Sequence, residues 1–192
     1  MPEYTIYAIG VASGFLATLT LVYLIYKDCD KLEKKVENTC DQKSKLIDDA
    51  IIKTTEDAIN EMKRNNITTL DPTFRQKFTD LASLMGDIDQ FSKSVEKIKD
   101  QITNSFFAGV IFAIFTIIWG VVYNSVDSGI NIVIGLIVVI SGFCYLVYGV
   151  LQVPDMRKIE KTMNNLRKEK SLDKIEEILS KFYQVGQEQP SK

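Results

Sequence analysis

The sequence predicts an all-α integral membrane protein with three transmembrane helices, a long cytoplasmic antiparallel helical hairpin between the first and second, and a cytoplasmic C-terminal amphipathic helix. Three observations carry that prediction. Of the 23 Lys and Arg, fourteen lie in residues 27–103 and nine in 154–192. What remains is three almost uncharged apolar blocks, each long enough to cross a hydrocarbon core of roughly 30 Å at about 1.5 Å per residue. The charged stretches between them carry apolar residues at helical spacing. Averaged over the chain, 46% hydrophobic and 25% charged residues with a net charge of -2 would suit a soluble domain. The segregation of charge excludes the usual single-core soluble enzyme. Four segments follow: 1–26, the external N-terminus and first span; 27–103, the hairpin; 104–152, the second and third spans; and 153–192, the tail.

The first span is 4–26, the second 105–123 and the third 130–152. The first is read as an anchor because its start, Met-Pro-Glu, lacks the basic residues of a cleavable signal. Orientation follows from basic residues near the span ends, which are held on the cytoplasmic side. Lys27, Lys31, Lys34 and Lys35 follow span one, Lys93, Lys97 and Lys99 precede span two, and Arg157, Lys158 and Lys161 follow span three. The turn between spans two and three carries only Asp127. The N-terminus is therefore expected outside, with the hairpin and tail cytoplasmic. Tyr23, Tyr26, Phe106 and Phe107 suit interfacial anchoring.

The first arm of the hairpin, 28–66, has no Pro or Gly, and Val36, Cys40, Ile47, Ile51, Ala58 and Met62 recur with a period of 11. Such a repeat packs along a nearly straight seam. Asp71 followed by Pro72 marks the start of the second arm, the Asp accepting from free amides and the Pro placed where its missing N–H costs nothing. Phe74, Phe78, Leu81, Met85, Ile88, Phe91, Val95, Ile98 and Ile102 form its amphipathic stripe, interrupted only by Gly86. Both signs of charge are interspersed along the hairpin, which argues against a nucleic-acid face. After span three, Pro154 pushes Val153 out of helical geometry, so the membrane helix should end or kink there. An amphipathic helix with Met156, Ile159, Met163 and Leu166 follows. A second piece starts near Ser171 with Leu172, Ile175, Leu179 and Phe182 on one face, and Gly186 reads as its stop. That apolar face could lie against the hairpin, against another copy or along the membrane.

The chain has no His, which removes His-based acid–base catalysis, His metal ligands and His pH switches. Cys29, Cys40 and Cys144 are spaced as small apolar residues and not as a zinc or redox site. No catalytic constellation, cofactor motif or metal spacing is found, and the protein is read as non-enzymatic. Small residues are the positive signal. Gly10 and Gly14 lie one turn apart in span one, Gly109 and Ala113 in span two, and Gly135, Gly142 and Gly149 form a heptad along span three. Such grooves allow the close backbone approach that drives helix association in lipid. Thr116 in span two and Ser141 in span three are the candidate pore or interhelical polar groups, unless each bonds back to its own helix.

In its order of elements, an outside N-terminus, one span, a helical cytoplasmic segment, a two-span hairpin and a cytoplasmic tail, the chain resembles the TolQ and ExbB proton-channel subunits, which surround a smaller partner carrying an aspartate. The resemblance is one of topology and covers the whole chain. It implies a channel or stator wall with Thr116 and Ser141 as pore hydroxyls. The chain departs from that family in its very short external turn and in a last span without Pro. The residues themselves favour a non-enzymatic subunit of a homo-oligomeric or hetero-oligomeric membrane assembly in contact with lipid, its glycine-lined spans packing and its hairpin docking a partner or a second copy.

Overall fold

The computed structural model describes residues 3–66, 69–123 and 129–187, apart from the side chains at 3–13, 117, 119–123, 129–132, 134 and 185–187. The described residues are all-helical and contain no strand. Five helices follow one another: α1 (Glu3–Asn65), α2 (Pro72–Tyr123), α3 (Gly129–Val150), α4 (Val153–Lys168) and α5 (Leu172–Gln187). The first apolar block and the first arm of the hairpin are one helix, α1, because nothing between residues 15 and 65 breaks it, neither Pro nor Gly. The second arm and the second block are likewise one helix, α2, which runs through Gly86. A single Gly costs about 1 kcal/mol relative to Ala, too little to stop a helix of this length.

Helix ends follow local chemistry. Lys63 and Arg64 occupy the last turn of α1, where cations suit the carbonyl end of the dipole. Asn66 then takes a left-handed φ of 51°, the conformation that terminates many helices and that Asn tolerates better than other side chains. At the start of α2 the Thr73 N–H donates to Asp71 Oδ1 at 2.7 Å, and the amides of Phe74 and Arg75 donate to the Asp71 carbonyl at 3.1 and 3.2 Å. The bonds to Thr73 hold the Asp71 carboxyl below its ordinary range. The break expected at Val153 falls just before it, at Leu151–Gln152, and Val153 itself is helical as the first residue of α4. At the break Gln152 N–H reaches the Gly149 carbonyl at 3.3 Å, and the Gln152 carbonyl accepts from Met156 at 3.1 Å, opening α4 with Pro154 in its first turn. The expected stop at Gly186 is corrected, since α5 continues to Gln187; near a helix end one Gly is a small penalty.

The helices form two compact units. One gathers residues 1–32 and 97–157, the other 33–96 and 158–192. In the first, Phe15, Val22 and Leu146 are the buried centre, with Leu19, Phe106, Ala113, Val139 and Val150 packed around them. Among the described residues one helical stretch, Gly135–Lys168, is long and apolar enough to cross a membrane, and only 22% of its apolar window is buried. The blocks at 4–26 and 105–123 lie partly outside the described side chains.

The second unit is built on helical stripes. Val36, Ile47 and Ala58, three positions of the 11-residue repeat, are all buried, as are Leu81, Ile88, Phe91 and Val95 from the second arm. Cys40 is buried too, whereas Ile51 and Met62, next in its row, stay half-exposed. The tail contributes Ile159, Met163, Leu166, Ile175 and Leu179 to the same core, so its apolar face lies against the hairpin. Burying each such side chain stabilises the fold by about 1.5–3 kcal/mol before conformational entropy is counted.

Candidate functional site

Within the first unit the heptad glycines mark where helices touch. A Cβ on Gly142 would sit 2.6 Å from Phe15 Cζ and 2.8 Å from Phe112 Cβ, so α1, α2 and α3 converge on this residue. At Gly149 the nearest atoms would be Ser105 Cβ at 3.1 Å and Val22 Cγ1 at 3.5 Å. Gly109 meets the Leu146 side chain and, at 3.3 Å, Leu19 Cδ2. Aromatic rings close the gaps around these glycines, Phe15 edge-on to Phe143 at 5.4 Å and Phe112 stacked on Tyr145 at 5.6 Å.

Three of the seven predicted packing glycines and alanine, Gly109, Gly142 and Gly149, thus receive neighbours from their own chain, and Ala113 packs on the same centre. Gly14 differs: a Cβ there would meet nothing within 4 Å. Gly135 is half-buried, and Gly10 lies outside the described side chains. Thr116 is half-buried and donates to the Phe112 carbonyl of its own helix at 2.8 Å. Ser141 is half-buried on α3.

The outer surface of this unit is apolar. Leu16 on α1, Ile111 and Phe115 on α2, Leu136 and Ile140 on α3, and Leu151 just beyond α3 are each more than half exposed. Cys144 is exposed on α3, whereas Cys29 and Cys40 are buried. In the second unit the described surface is polar, with two exceptions among large apolar side chains, Ile52 at 57% and Ile59 at 41% exposure.

Polar anchors fix the tail to the hairpin inside the second unit. Lys43 is buried, and its Nζ donates to the Glu169 carbonyl just beyond α4, where the helix dipole favours a cation. Burial pushes the Lys43 ammonium below its ordinary pKa, with Glu169 opposing. The Glu169 carboxylate accepts from the amides of Ser171 and Lys170, both at 3.0 Å, which hold it below its usual range and prepare the start of α5. Tyr183 donates its hydroxyl to the Asp87 carbonyl at 2.8 Å, and burial raises its pKa. Phe182 stands edge-on to Phe91 at 5.0 Å, with Lys158 4.7 Å from the Phe182 ring centre. The Cys40 thiol lies 3.9 Å from the Ile88 carbonyl and is pushed up to about 11, first by burial and then by Asp41 and Asp89.

Lys43 and Tyr183 were not singled out in the sequence. Lys43 had a visible signal, because Val36, Cys40, Lys43 and Ile47 step by four, three and four, which places a cation in the seam. Tyr183 stands next to Phe182 and off the apolar stripe, so only the packed tail reveals its role. Among the described residues no three His, Cys, Asp or Glu side chains come together as a metal site. No family model, no curated protein and no solved structure matches the chain.

Proposed function

We propose that the chain is a non-enzymatic subunit of an oligomeric membrane assembly. The spans at 4–26, 105–123 and 130–152 embed the first unit in the bilayer, the N-terminus faces outside, and the hairpin and tail lie in the cytoplasm, where the hairpin docks a partner. One observation carries the reading: among the described residues, the exposed large apolar side chains belong, with two exceptions, to the first unit. An apolar patch of that extent has no place in water and suits lipid. The basic residues that flank the three blocks give the orientation. Among the described span residues, Gly14, where a Cβ would meet nothing within 4 Å, leaves room for another helix, whereas Gly109, Gly142 and Gly149 are occupied within the chain.

Cys144 supplies the test, because it is exposed while the other two cysteines are buried. In lipid nanodiscs an uncharged maleimide should label it and a charged, membrane-impermeant one should not. Rapid labelling by the charged reagent in intact nanodiscs would place Cys144 in water and end the membrane reading. Native mass spectrometry of the gently purified protein should return more than one copy or a second chain. A lone protomer would remove the assembly part.

A further inference from the structure

We draw no further inference here: the strongest candidate, the open apolar face of α3 lined by Ile140, Phe143, Cys144, Val147 and Tyr148, belongs to the apolar surface already described, and nothing in the structure shows what covers it.

Discussion

At Gly142 a single hydrogen in place of a methyl group lets three helices meet. A Cβ there would overlap Phe15 Cζ at 2.6 Å and Phe112 Cβ at 2.8 Å, and the second of these sits too close to its backbone to swing away. Gly142→Ala should therefore lower stability by roughly 1–3 kcal/mol, the usual cost of overpacking. Gly86, where a Cβ would meet nothing within 4 Å, is the control. Gly86→Ala should raise stability by about 1 kcal/mol through helix propensity alone. Denaturation of both variants in mild detergent decides whether close packing or propensity governs these glycines.

Cys40 yields a pH dependence of known sign. An unfolded thiol ionises near 9.0, while the folded one keeps its proton up to about 11. Between those values the folded state binds more protons, so stability present below pH 9 is lost as pH rises toward 11. Tyr183, also raised, acts in the same direction from about pH 10 upward. Lys43, lowered by burial, acts oppositely, because its unfolded form binds the extra proton below 10.5. The stability lead of the wild type over Cys40→Ala should shrink between pH 9 and 11, as followed by thermal unfolding, and a constant difference would contradict the raised thiol.

At the scale of elements, the tail is held by a few polar bonds across an apolar seam. Lys43→Met leaves the Glu169 carbonyl without its charged donor, and a hydrogen bond to a charged group is worth about 1.5–3 kcal/mol. Amides of α5 should then exchange with solvent roughly tenfold faster or more. Tyr183→Phe should produce a smaller acceleration, in keeping with about 1 kcal/mol for a neutral hydrogen bond. The start of α2 responds to acid. Asp71, held below its ordinary range, caps the helix at neutral pH, and the cap is lost as pH falls through its folded pKa. Asp71→Asn, which caps without ionising, should remove that acid sensitivity from the exchange of the Thr73 amide.

Element boundaries were legible where one residue decides them, at Asp71–Pro72 and before Pro154, because capping and proline sterics are local. The stripe of the first arm was legible for Val36, Ile47 and Ala58. It was misleading at Ile51 and Met62, because periodicity tells which face is apolar and not how far along the helix the cover extends. Gly109, Gly142 and Gly149 were legible as close-packing positions, whereas Gly14 has the same spacing signal and no neighbour within 4 Å of a Cβ. Whether they pack inside the chain or against another depends on partners far apart in sequence, such as Phe15 for Gly142 and Ser105 for Gly149, and no spacing rule contains those pairings. The stop at Asn66 had a weak signal, since Asn ranks behind Gly for the left-handed position.

For the whole molecule, the tail is what completes the second unit. A chain ending at Leu151 removes Ile159, Met163, Leu166, Ile175 and Leu179 from its core. Cys40, shielded from iodoacetamide at pH 8 in the intact protein, should then react at close to the rate of an unfolded thiol. Retained protection would mean that the hairpin buries its seam unaided. The order of synthesis adds a consequence. Val95 leaves the ribosome roughly 90 residues before Tyr183, which at about 5–20 residues per second is an interval of about 5–20 s. Throughout it the newborn hairpin has its apolar seam and lacks the helices that seal it. A cell making this protein must shelter that surface for seconds per molecule, and faster translation of the stretch between the hairpin and the tail would shorten the exposure and raise the yield of correctly folded chain.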